Sequence, residues 1–239
     1  MTAEALSAVL IDVGRVLIHP QNALFHEAAV IACSMSLKDA DIETALAETV
    51  WVGARSADPV AFWAGTEHKD VWGRSVGMRA SQARKTWAVL AELDTDDSPL
   101  WSVTEPQAKP VLADLRSRGI LIAAVSNGNG ELTRDLMRHG LLDYFDTVLD
   151  SHIEGVAKPD SAIFDLAAAR LGVPLAHCGF VGDDPYFDYD ASLKAGAGAS
   201  YLIDHFDSRP KDWTGSAART LAAAVAGVLS TKISSDGTV

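Results

Sequence analysis

Three short apolar runs in the sequence end in groups that could do chemistry, and a lysine lies in the loop after a fourth. Asp12 follows AVLI, Ser126 and Asn127 follow ILIAAV, Asp183 and Asp184 follow CGFVG, and Lys158 comes after the run around Thr147–Leu149. Asp188 lies five positions beyond Asp183. Taken singly these have plain structural explanations, because Asp, Ser and Asn end strands and cap helices; for Ser126 alone the cap is the better reading. Taken together they describe a site. Asp12, Asp183 and Asp188 on one rim repel each other unless a cation sits between them, and oxygen ligands of this kind suit Mg2+. A lysine and a hydroxyl beside such a cation describe a phosphate site. Lys158 would offset charge on transferring oxygens, Ser126 and backbone N–H groups would hydrogen-bond them, and a metal-linked carboxylate is placed to act as nucleophile.

The elements that must position these groups follow from periodicity. Ala8–Ile11 is a short apolar run stopped by Asp12 and Gly14, which reads as a buried strand ending in a polar loop. From residue 105 onward, strands and helices alternate: a helix within residues 106–119, a strand over Ile120–Val125, a helix over Glu131–His139 and a strand around Thr147–Leu149. The series continues with a helix over Ser161–Leu171, a strand over Cys178–Gly182, a helix over Tyr189–Ala195 and a strand over Ser200–Asp204. This pattern predicts an α/β fold with a parallel sheet covered on both faces, in which ligands sit at the carboxyl ends of the strands. Residues from about Asn22 to Leu93 instead carry apolar positions at helical spacing, such as Ile42, Leu46 and Val50, together with Trp51, Trp63, Trp72 and Trp87. Most tryptophans at such spacing are core, with one or two left to face a substrate. The stretch DTDDSP closes this segment as a linker. The expected division is therefore residues 1–19 and 100–239 as the α/β core and 20–99 as a helical insertion. Ala218–Leu229 reads as an Ala-rich helix, followed by a polar tail, STKISSDGTV.

Composition removes several function classes. Twenty Lys and Arg against 32 Asp and Glu give a formal charge of −12 over 239 residues, a field that repels nucleic acid and anionic membranes. Cys33 and Cys178 form no pairing pattern and no CxxC, which suits a reducing compartment, and the first 17 residues do not read as a signal peptide. A cytoplasmic protein with no nucleic-acid or membrane partner is the expectation. GNGELT, from Gly128 to Thr133, follows a strand but has Thr133 where a dinucleotide loop has its third glycine. The seven histidines show no HxH or HExxH spacing.

In this order, VLIDVGRVL, VSNGN, GVAKPDSAIFDLAAARLGV and FVGDDPYFDYDASLKAGA resemble the four motifs of the haloacid dehalogenase superfamily. The resemblance is to a C1-capped, phosphatase-like member: a Rossmannoid core with a helical cap inserted after the first strand. It implies that Asp12 is the nucleophile that becomes an aspartyl-phosphate, that Ser126 and Asn127 bind phosphate, and that Lys158 steadies both. It implies Asp183 as a Mg2+ ligand, Asp188 as a ligand of the metal or its water, and Gly14 as a ligand through its backbone C=O. Asp184 fills a slot more often held by a small residue.

The sequence departs from that pattern at one telling place. Where the family's phosphatases usually carry a second Asp that protonates the leaving group, this chain has Gly14, followed by Arg15. A positioned acid contributes ~10²–10⁴-fold, or roughly 3–5 kcal/mol of barrier. Its loss points to a good leaving group such as an anomeric or acyl phosphate, to another proton source such as His19 or a cap acid, or to slow turnover; a mutase is disfavoured. Arg15 reads either as a solvated turn residue or as a guanidinium facing substrate phosphate. The resulting expectation is a Mg2+-dependent phosphatase acting on a small phosphorylated metabolite, as a monomer or homodimer. The alternatives are a metal-independent 2-haloacid dehalogenase of the same fold and an inactive core that binds a phosphorylated ligand or a partner protein.

Overall fold

The computed structural model describes residues 5–231 of the chain. They form two compact units. One comprises the residues through Ile18, Thr104–His205 and those from Thr214 on; the other comprises His19–Val103 and Phe206–Trp213.

The first unit is built on a parallel sheet of six strands: β1 (Ala8–Ile11), β4 (Leu121–Ser126), β5 (Thr147–Asp150), β6 (Cys178–Gly182), β7 (Ala199–Ile203) and the short β8 (Ala217–Ala218). Their order is β5-β4-β1-β6-β7-β8. Central β1 pairs in register with both neighbours, Ala8 lying opposite Leu121 on one side and Cys178 on the other. All four of its residues are buried, which is why it reads as an unbroken apolar run rather than an alternating one. Successive side chains still go to opposite faces. Val9 and Ile11 join a core with Leu112 and Leu115 of α6 (Ala108–Ser117), Leu136 of α7 (Leu132–Arg138), and Val225 and Val228 of α11 (Leu221–Ser230). Ala8 and Leu10 join another with Phe180 and with Ile163, Phe164 and Ala167 of α9 (Ser161–Leu171). The chain winds outward from β1 in both directions, so the carboxyl ends of β1, β4 and β6 lie at a topological switch point.

The second unit is helical, with α1 (Asn22–Cys33), α2 (Asp39–Ala54), α3 (Pro59–Ala64), α4 (Glu67–Ser75) and α5 (Ala80–Leu93). Its core gathers Leu24, Phe25, Ile42, Trp72, Met78 and Leu90. Phe25, Trp72 and Trp87 form an aromatic triangle with ring centroids 5.5–5.8 Å apart. Most of the sequence-derived elements recur within a residue or two of their expected ends. The expected helix from Tyr189 begins instead as a π-helical turn, Pro185–Asp190, that runs into α10 (Ala191–Ala195). Two strands that periodicity did not signal, β2 (Ile18–Pro20) and β3 (Trp101–Thr104), pair as a ribbon where the helical segment leaves and rejoins the sheet sequence. Phe206–Trp213 follows β7 in the chain yet belongs to the helical unit, where Trp213 packs edge-on against Trp51 at 5.3 Å and Asp212 pairs with Arg55 at 2.8 Å. The polar tail lies outside the described residues beyond Thr231. No helix among the described residues is long and apolar enough to cross a membrane.

Candidate active site

Asp12 is the first residue past β1 and is still held by the next strand, its N–H donating to Val181 C=O at 2.9 Å. The loop then closes tightly on itself. The N–H groups of Val16, Leu17 and Ile18 converge on Val13 C=O, and Arg15 N–H donates to Ile18 C=O at 2.7 Å. The bridge between Gly14 and Ile18 uses Val13 C=O and Arg15 N–H, so the C=O of Gly14 stands outside that pair of bonds.

Lys158 joins two strand ends. It is 4% exposed, with Nζ 2.9 Å from Asp12 Oδ1 and 2.6 Å from Asp188 Oδ1. Burial opposes its charge, but the Asp12 and Asp188 carboxylates more than offset this and hold it protonated far above the usual lysine range. Asp188, itself almost wholly buried, is fixed from the other side: its Oδ2 accepts from the N–H groups of Asp183 at 3.0 Å and Asp184 at 2.9 Å. That carboxylate occupies the space a side chain on residue 182 would fill, which explains the glycine that ends β6. Asp184 Oδ1 accepts from Tyr186 and Phe187 N–H at 2.8 and 2.9 Å and so caps the turn that carries Asp188.

Four carboxylates thus share one rim with two cations, Lys158 and Arg15, the latter 3.3 Å from Asp183 Oδ2 through Nε. With every group ionised, two negative charges are left uncompensated. Burial, opposed by Lys158 and reinforced by Asp188 and Asp183, pushes Asp12 up to about 7. Burial likewise lifts Asp183 to about 7 against the pull of Arg15, and lifts Asp184 to about 7 with help from Asp188. Carboxyl oxygens of Asp12, Asp183 and Asp188 lie within 4.8 Å of one another. Asp12 Oδ1 is buried, and its partner is the Lys158 ammonium at 2.9 Å. Three converging carboxylates and a deficit of two positive charges fit one divalent hard cation such as Mg2+.

The loop after β4 is organised by buried Asp150. Ser126 pairs in register with Asp150, whose carboxylate accepts from the N–H groups of Gly130, Leu132 and His152 at 2.9–3.1 Å. Gly128 makes this possible, since a Cβ there would lie 2.8 Å from that carboxylate. Among the described residues the Ser126 hydroxyl has no side-chain hydrogen bond. Asn127 is committed elsewhere: its Nδ2 donates to Lys158 C=O and its Oδ1 accepts from Lys158 N–H, both at 2.9 Å.

The sequence profile of haloacid dehalogenase-like hydrolases matches residues 100–196. Phosphoserine phosphatase of Thermus thermophilus is 30% identical over 185 residues, covering 76% of this chain and 71% of that protein. Glyceraldehyde 3-phosphate phosphatase of Methanopyrus kandleri is 32% identical over 195 residues, 80% of this chain and 81% of that one. The chain belongs to the haloacid dehalogenase superfamily. The same fold is seen in the solved structure of the HAD-hydrolase YfnB from Bacillus subtilis, with a TM-score of 0.62 at 18% identity over 95% of this chain and 100% of that one.

Of the residues singled out from sequence, this superfamily member brings Asp12, Lys158, Asp183, Asp188 and Arg15 into one cluster, the Lys158 pairs and the Arg15–Asp183 pair being joined by the Asp183 N–H on Asp188, with Gly14 in the loop between Asp12 and Arg15 and Ser126 on the adjacent strand end. The side chain of Asn127 is tied to the Lys158 backbone, so a phosphate contact from this residue is left to its N–H. Two organising groups escaped sequence reading, Asp150 and the amide of Asn127 as a clamp. Asp150 did carry a signal, being an acid at the end of a strand followed by a helix, but the same signal marks an ordinary cap.

Proposed function

We propose that the chain is a Mg2+-dependent phosphatase that hydrolyses a small phosphorylated metabolite through an aspartyl-phosphate on Asp12. The observation that carries this reading is the buried Asp12 carboxylate, set among acids that the protein's own cations do not balance. Its membership of a superfamily branch with phosphatase relatives supports the same chemistry.

Asp12, Asp183, Asp188 and the Gly14 C=O are the residues to hold the metal, Asp188 directly or through a water. Bound there, Mg2+ would neutralise charge on the phosphoryl oxygens and draw the site carboxylates into their ionised forms. The Asp12 carboxylate attacks phosphorus in line, forming an acyl phosphate as the bond to the leaving oxygen breaks. Lys158, fixed by Asp188, keeps a positive charge beside Asp12 throughout, and the Ser126 hydroxyl donates to a phosphoryl oxygen. Water then attacks the phosphorus of the aspartyl-phosphate, releasing inorganic phosphate and restoring Asp12. With Gly14 offering no side-chain proton, the leaving oxygen departs most readily from an anomeric or acyl phosphate. In this reading the helical insertion, residues 20–99, selects the substrate.

The test is phosphate release from a panel of metabolite phosphates that includes sugar 1-phosphates and p-nitrophenyl phosphate, with Mg2+ or with EDTA. Metal-dependent turnover that drops at least ~10³-fold in Asp12→Asn is expected. Silence across the panel by folded protein would overturn the reading, and chloride release from 2-haloacids without metal would replace it with the dehalogenase.

A further inference from the structure

Arg15 is an unusual residue to find in so tight a loop. Its φ of +59° lies in the left-handed region that favours glycine, and its N–H is fixed to Ile18 C=O. The backbone therefore holds the base of a long cationic side chain at one place, three residues from Asp12. The side chain runs to Asp183, the two side chains being 22% and 12% exposed, so the pair is largely out of water and unlike a solvated surface ion pair. Lys158 takes the other two carboxylates of the cluster, Asp12 and Asp188. Each of the three acids that converge on the candidate metal position thus has a cation supplied by the chain itself.

The two cations differ in a way that matters. Lys158 is buried and meets two carboxylates, whereas the Arg15 side chain meets Asp183 through Nε and sits nearer the solvent. A guanidinium stays charged at any working pH, so it cannot leave Asp183 by losing a proton; it leaves only by moving. It also presents a planar fork of donors that matches a phosphate group.

We propose that Arg15 is a tethered cation that holds Asp183 until a divalent metal claims that carboxylate, and that the released guanidinium then takes the anionic group of the substrate. Arg15 in this way couples metal binding to phosphate binding. The proposal rests on the Mg2+-dependent reading of the site above. Its consequence is a competition: metal binds more weakly than the bare carboxylates would allow, and the affinity given up returns when phosphate arrives. Because the coupling is between two binding events, it is reciprocal.

The experiment is calorimetric titration of Mg2+, without substrate, into wild-type protein, Arg15→Gln and Arg15→Gly. Arg15→Gln removes the charge while leaving a side chain on the left-handed backbone; Arg15→Gly removes both, and circular dichroism checks that each is folded. Both variants are expected to bind Mg2+ about tenfold more tightly than wild type. Inorganic phosphate is then titrated with and without Mg2+. The factor by which Mg2+ tightens phosphate binding is expected to be larger in wild type than in Arg15→Gln, since only wild type has a guanidinium to release. Unchanged or weaker Mg2+ affinity in both variants, or equal phosphate factors, overturns the role of Arg15 and leaves the phosphatase reading standing. Failure of all three proteins to bind Mg2+ removes the metal reading and the proposal together.

Discussion

Among the described residues of the helical unit, the buried polar side chains are Thr49 and Thr86, each bonded within the unit, whereas the sheet unit buries five charged ones, Asp12, Asp150, Lys158, Asp188 and Asp204, beside Ser192 and Ser200. Both units have apolar cores, but they bury different polar atoms. In the helical unit the unmatched atoms are the indole N–H groups of Trp72 and Trp87, neutral donors enclosed by packed rings. The sheet unit instead buries carboxylates in the middle of a charge cluster. A neutral orphan costs a lost hydrogen bond, about 1–3 kcal/mol. A buried charge is costlier, and folds only when rigid elements hold its partners in place. Strands β1, β4 and β6 do this through their shared register, which sets the ends of all three side by side. The comparison teaches that stability in the helical unit is a matter of volume, while in the sheet unit it is tied to protons and cations.

The sharpest way to break that distinction is Lys158→Met. It leaves Asp12 and Asp188 buried without their shared cation, and about 3–5 kcal/mol of stability should be lost at pH 8. At pH 5 the loss should be smaller, because Asp12, already pushed up to about 7 by burial, takes up a proton once the lysine is gone. Urea unfolding at the two pH values measures this; equal losses would mean that Lys158 contributes packing and not charge.

Next in size is the linkage of protons to metal. Asp12, Asp183 and Asp184 are each raised from 3.8 to about 7 in the metal-free fold. Between those values the folded state keeps protons that the unfolded chain has released, so metal-free stability falls as pH rises from about 4 to 7 and levels off above. Metal ligation needs the carboxylates ionised, so Mg2+ should stabilise little at pH 5.5 and strongly at pH 8, by about 2.7 kcal/mol when present at 100 times its Kd. Thermal melts with Mg2+ or EDTA across that range test it, and a pH-independent Mg2+ effect would detach the metal from these acids. The matching change in the helical unit is Trp72→Phe, which trims a fully buried ring and removes its orphan N–H. A loss of about 1–2 kcal/mol is expected, identical at pH 5.5 and 8 and with the Mg2+ shift intact.

What could be read from sequence follows the range over which its causes act. Ala8–Ile11 and Cys178–Gly182 are recovered residue for residue because a buried parallel strand writes its own apolar run between polar stops. The gathering of Asp12 and Asp183 is legible because acids directly after strands must share the sheet's carboxyl rim, and Lys158 and Asp188 follow in the loops beyond. Strands β2 and β3 are not: three or four residues, one a proline, carry no periodicity to detect. Nor is the attachment of Phe206–Trp213 to the helical unit, since Trp51 and Trp213 meet across 162 positions and neither announces the other. The bonds of Asn127 are hidden for the same reason, because an amide after a strand looks the same whether it faces a ligand or a neighbouring loop.

Asn127 offers the finest test of how the sheet unit holds its charges. The residue is exposed, yet both polar atoms of its amide are bound to the backbone of Lys158, 31 positions away. A phosphate ligand and a clamp on the lysine loop predict different kinetics. Losing a ligand used in ground state and transition state alike raises KM and spares kcat. Losing a clamp lets the Lys158 ammonium drift from Asp12, which weakens charge stabilisation during transfer and so lowers kcat with little change in KM. Asn127→Ala is expected to lower kcat about threefold to tenfold with KM nearly constant, and to destabilise the fold by only about 1 kcal/mol. Asn127→Asp keeps the acceptor for the Lys158 N–H but sets a carboxylate oxygen against the Lys158 C=O, so it should fall at least as far. Steady-state kinetics on both variants decide the matter. A rise in KM alone would return Asn127 to the phosphate, and would mean that the lysine is held by Asp12 and Asp188 without help from the loop that carries it.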